Sequence, residues 1–169
     1  MKNHLKVVAV IGLALGGVFG LVGTVVESQS LRAAAWGLDG VGLVVATSLL
    51  TLTFFRKGND CVAAGFLVFA IGEGVMLSGT AAPLAESVPS FAAGTALWSA
   101  ALLLTSIPNE FASWIRLVGV IGAVLFAITA ARILWGEPVL PTASPLPFFA
   151  YPFLVLTFAG WIWTLLKKN

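Results

Sequence analysis

Six apolar runs of about 20 residues, separated by short polar breaks, leave this chain few ways to fold. They cover roughly 5–26, 33–55, 61–82, 91–107, 114–135 and 146–166. A run of that length crosses the ~30 Å hydrocarbon core of a bilayer as a helix, which satisfies its own backbone hydrogen bonds where no water is at hand. Charged residues make up 9% of the 169 positions and hydrophobic ones 59%. A soluble domain carries about 25% charged residues, so this chain has too little polar surface to enclose a core in water. The expected fold is all-α, a polytopic membrane bundle of six transmembrane helices. No polar stretch is long enough for a second unit, so 1–169 reads as a single integral membrane domain whose first partner is the lipid bilayer. The breaks at 27–32, 56–60, 83–90, 108–113 and 136–145 are short, and several carry the Pro, Gly or Asn that end helices. Lys2 and Lys6 precede an apolar core longer than a usual signal sequence, and no Ala-x-Ala site follows, so the first span reads as a retained helix.

Orientation follows from the cations. With the N-terminus inside, Lys2, Lys6, Arg56, Lys57, Arg116, Lys167 and Lys168 fall on the inner side, and Arg32 and Arg132 fall outside. Seven against two favours N-in, C-in, with both termini cytoplasmic and the bacterial cytoplasmic (inner) membrane as the expected location. The spans also group as three antiparallel hairpins starting near 5, 60 and 114, with Thr24, Thr80 and Thr129 near the outer ends of the outgoing helices. Such repetition is common in transporters.

Several kinds of chemistry are excluded by what the chain lacks. One cysteine, Cys61, and one histidine, His4, cannot supply an internal disulfide, a cysteine cage, bis-histidine haem or a histidine-carboxylate metal site. No cofactor or metal is expected. A formal charge of +2 with no basic cluster argues against nucleic acid. There is no rhomboid-type serine–histidine pair, and Gly37-Leu38-Asp39 falls short of the Gly-x-Gly-Asp motif of intramembrane aspartyl proteases.

Two acids interrupt the apolar runs. Glu73 stands as Gly72-Glu73-Gly74 in the third span, and Asp39 lies in the second. A carboxylate at such depth costs roughly 2.5–3.5 kcal/mol on insertion scales and marks a functional site by default. Asp39 follows Arg32 by seven residues, which places it about 10 Å below the outer boundary. Glu73 follows Asp60 by thirteen, about 20 Å up a ~30 Å core, so both acids fall in one layer of the outer half. Arg32, Trp36, Asp39 and Leu43 share a helical face. Arg32 and Arg132 are long enough to reach inward toward an acid. The expected site is an outward-facing polar pocket lined by Asp39 and Glu73, with Glu27, Arg32 and Arg132 near its mouth. Like charges in a low-dielectric enclosure repel, so such a pair suits a proton or cation site. The structural alternative is that each acid is capped by a hydroxyl, amide or arginine and only sets helix register.

Gly12, Gly16 and Gly20 form a ladder spaced by four residues, which puts them on one helix face and permits close approach of another helix. Packing within the chain is the simpler use of this ladder; homo-oligomerisation is the other. Trp36, Trp114, Trp135, Trp161 and Trp163 fall near span ends, as an interfacial aromatic belt requires, whereas Trp98 falls mid-span. The loop 137–147 carries four prolines and reads as a stiff connector, a lid or a partner surface.

Three functions remain open. The first is a non-enzymatic bundle that transports or senses a proton, cation or small solute. The second is an accessory or assembly subunit of a larger membrane complex. The third, a lipid-modifying enzyme, has two carboxylates for acid–base chemistry but no nucleophile or metal set.

Overall fold

The computed structural model describes residues 3–167, so Lys2 and Lys168 of the orientation argument lie outside the described residues. It contains α1 (Asn3–Val25), α2 (Gln29–Phe55), α3 (Asp60–Leu77), α4 (Val88–Ser106), α5 (Ser113–Leu134) and α6 (Tyr151–Lys167), the last entered through a 3₁₀ turn at Phe148–Ala150. Among the described residues there is no strand, and six helices are long and apolar enough to cross a membrane. Val, Leu or Ile side chains lie exposed along these helices, for example Val18, Val41, Ile71, Leu117 and Leu156, a surface suited to lipid. The fold is that of an integral membrane protein.

Several helix ends depart from the sequence expectation: α4 starts at Val88 rather than 91, α6 at Tyr151 rather than 146, and two further shifts affect the acid-bearing helices. The second helix starts at Gln29 rather than 33, because Ser28 in extended backbone caps it and accepts a hydrogen bond from the Leu31 N–H at 3.5 Å. Arg32 therefore belongs to the helix and not to the loop. The third helix stops at Leu77 instead of 82. The Ser78 and Thr80 hydroxyls donate to the carbonyls of Val75 (2.6 Å) and Leu77 (3.0 Å), and Pro83 disfavours helical backbone at Ala82. Glu73 thus lies one turn from its helix end.

Each helix packs antiparallel on the next, and α6 returns to contact α1, so the six close into a ring. The described ends, Asn3 and Lys167, share one end of the bundle with the connections 56–59 and 107–112; the connections 26–28, 78–87 and 135–150 form the other.

The glycine ladder of α1 faces α2. A Cβ at Gly12 would collide with the carbonyl oxygen of Gly42, one at Gly16 with Leu43, and one at Gly20 would lie 3.1 Å from the Asp39 carboxylate. All three rungs are therefore spent inside the chain, where they bring two backbones together. The second tight crossing joins α3 and α4, where Gly72 faces the carbonyl of Gly94 and Gly94 faces that of Gly72.

Aromatic rings fill the middle of the ring of helices. Phe54 stacks on Phe66 (5.5 Å between centroids), Phe66 meets Trp161 edge-on (4.8 Å), Trp161 contacts Phe69 and Phe158, and Phe69 stacks on Trp98 (5.6 Å). Trp98 then meets Phe126, which meets Tyr151. Trp161 is 1% exposed, so it is a core residue and no part of an interfacial belt. Its position near a span end misleads because α6 turns this face toward the ring's centre. Trp114, Trp135 and Trp163 are exposed, as a belt would have them.

Candidate functional site

The aromatic column ends beneath a cavity in the half of the bundle away from the described termini. Its empty volume is about 690 Å³ including the open mouth, and α1, α2, α3, α4, α6 and the proline loop wall it. Asp39 from α2 and Glu73 from α3 both line it. They are 7% and 3% exposed, and neither forms an ion pair with a described residue. Oδ1 of Asp39 and Oε2 of Glu73 are buried with no hydrogen-bond partner. Each acid thus keeps at least one oxygen that no described protein group caps. Each carboxylate lies within electrostatic range of the other.

The placement of the two acids has local causes. Gly20 of α1 leaves the space that the Asp39 carboxylate fills. Gly40 on the next position of α2 admits Leu77, which draws α3 against α2 and carries Glu73 to the same side. Gly72 seats α3 on α4 beside Trp98. Glycines at these points give the acids their neighbourhood by letting helices close in. Gly37 and Gly74 differ, since a Cβ at either would meet nothing within 4 Å.

Trp98 is 5% exposed and lines the cavity, with its indole Nε1 beside Glu73 but unpaired in any hydrogen bond of ordinary geometry. Trp36, expected in the aromatic belt, is half-buried on the cavity wall and donates from Nε1 to the Gly20 carbonyl at 3.3 Å. Tyr151 completes the wall from α6. Its hydroxyl donates to the Pro141 carbonyl at 2.7 Å, and Pro141 itself lines the cavity, so the proline loop is fastened over one side of the site.

The other expected residues lie elsewhere. Arg32 donates from Nη2 to the carbonyls of Val26 (2.6 Å) and Glu27 (3.3 Å), just past the last turn of α1. Carbonyls at a helix end lack partners within the helix, and this guanidinium serves them from the adjacent α2. It approaches the site only through Trp36, whose ring centroid is 6.0 Å away. Arg132 is held by Glu137 through bonds of 2.6 and 2.7 Å, because Gly136, at φ +97°, turns the chain back after α5. Glu27 is exposed at the end of α1. Of the five residues read from the sequence as a site, the fold brings two together and leaves Glu27, Arg32 and Arg132 off the cavity lining.

The residues that sequence reasoning missed are Tyr151 and the hydroxyls of Ser87 and Ser90, whereas Pro141 belongs to the proline loop for which a lid was one of the readings. Tyr151 carried one usable signal: it is the only tyrosine of the chain, at the head of an apolar helix, where a phenol needs a partner. The two serines carried none. Comparison with protein-family models, with curated proteins and with solved structures finds no match to this chain.

Proposed function

We propose that this is a non-enzymatic integral membrane protein that binds a proton, cation or small cationic solute at Asp39 and Glu73, for transport or sensing. The observation that carries this reading is the pair of buried carboxylates on one cavity, each with an oxygen that no protein group satisfies. Two anionic groups held together in a low-dielectric enclosure are relieved only by positive charge, and no side chain of the described chain supplies it there.

The direction of access is argued from the cations. Lys6, Arg56, Lys57, Arg116 and Lys167 belong to the end that holds the described termini. At the opposite end, Arg132 is paired to Glu137 and Arg32 to backbone. The positive-inside bias supports cytoplasmic termini and an outward-facing pocket. The accessory-subunit alternative loses one of its supports, since Gly12, Gly16 and Gly20 are used against α2.

Purified protein in proteoliposomes tests the proposal. Wild-type protein should show cation or proton flux, or saturable cation binding, that depends on pH, and Glu73→Gln and Asp39→Asn should each remove that dependence. Activity that both variants retain in full would refute it. The titratable groups facing the pocket are Asp39, Glu73 and Tyr151; the linings from α1 and α4 contribute none.

A further inference from the structure

We infer that the pocket's guest is a lipophilic organic cation, a positive centre carried on apolar or aromatic groups, in preference to a bare metal ion or a proton alone. The inference rests on the carboxylate site proposed above and deepens it by naming the substrate class.

Two observations point the same way. The first is the wall. Trp36, Phe91, Trp98, Tyr151 and Phe158 present five aromatic side chains around two carboxylates. Ring faces attract a cation, above all one whose hydration is weak, while the acids supply the net charge that fixes its orientation. A hard metal ion instead seeks about six oxygens in a tight cage, and among the described residues no group of three or more His, Cys, Asp or Glu is placed to hold one. The second is Trp98, 5% exposed, whose ring lines the cavity beside Glu73, so that an indole and a carboxylate meet a cation together.

The cavity is also placed for such a guest. Leu21 of α1 and Val155 of α6 carry the wall to the seam between those two helices, and Leu21 is 38% exposed on the outer surface. A lipophilic cation concentrates in the bilayer interface beside such a seam. Asp39 and Glu73 then act together: the guest's charge replaces a proton on the pair, so protons and guest compete.

Benzyltrimethylammonium is a suitable probe, with neopentylbenzene as the neutral molecule of the same shape. Titration of the intact protein in nanodiscs by calorimetry should show saturable binding of the cation and none of the neutral molecule. Binding should weaken roughly tenfold or more as the pH falls from about 8 to about 5, because protonated carboxyls no longer attract it. Glu73→Gln or Asp39→Asn should weaken it roughly thirtyfold, and Trp98→Leu by about tenfold. Equal binding of the neutral molecule, or binding indifferent to pH, would overturn the inference on the unmodified protein, whether or not the variants fold. If benzyltrimethylammonium fails to bind while proton or inorganic-cation flux remains sensitive to Glu73→Gln, the substrate class is wrong and the carboxylate site stands. If both fail, both are wrong.

Discussion

Gly72 and Gly74 flank the same glutamate and are chemically identical, yet the fold treats them in opposite ways. A Cβ on Gly72 would lie 2.9 Å from the Leu97 Cβ and 3.3 Å from the Gly94 carbonyl oxygen, whereas one on Gly74 meets open space. Gly72→Ala should therefore destabilise the protein by about 1–3 kcal/mol through overpacking. Gly74→Ala should be neutral or stabilising by up to about 1 kcal/mol, since alanine is the better helix former. Thermal unfolding of the two variants in detergent checks this, and equal midpoints would show that α3 and α4 do not cross at Gly72. The sequence placed Glu73 between two glycines but could not say which one faced a neighbour. A helix puts adjacent positions about 100° apart, and only the partner's location tells the faces apart.

Among the elements, the connection between α5 and α6 does most to define the site. It holds four prolines in 137–147, places Pro141 on the cavity wall, and is tied to α6 by the Tyr151 hydroxyl. Tyr151→Phe should remove about 1 kcal/mol by leaving the Pro141 carbonyl without its donor. The loop should then be cut faster by an added protease, with the helices staying intact, and an unchanged cutting rate would mean that the proline content alone holds the loop in place. Arginines perform a related task at two other junctions. Arg32 serves the end of α1, and Arg116 the end of α4, donating to the carbonyls of Ser106 (2.7 Å) and Ile107 (2.9 Å) and to the Asn109 side chain. Positive-inside counting treats Arg116 as a topological signal and spacing treats Arg32 as a pocket residue. Neither method sees a carbonyl left over at a helix end.

For the whole molecule, the proposed topology puts both described ends on one side of the membrane and 78–87 and 135–147 on the other. Reporter tags fused at each terminus should be found in one compartment. Glu86→Cys and Glu137→Cys, each made in a Cys61→Ala background, should label from the opposite one. Labelling of the two sites from different sides would break the ring. With the terminal tags on the cytoplasmic side, the pocket faces out, as proposed. The same tags found outside would reverse its access without altering its lining.

The apolar runs by themselves determined that the chain is a six-helix membrane protein, and roughly where each helix lies, because the bilayer imposes length and hydrophobicity on every span separately. They also exposed Asp39 and Glu73, since an acid in an apolar run is conspicuous whatever surrounds it. Rotation and pairing were beyond them. Whether Trp161 meets lipid or core, whether the glycine ladder binds α2 or a second copy, and whether an arginine reaches an acid all depend on which helix stands next to which. That is decided by the close crossings at Gly12–Gly42 and Gly72–Gly94 and by the aromatic column that the ring of helices encloses. Only this tertiary packing turned two isolated carboxylates into the two acids of one cavity.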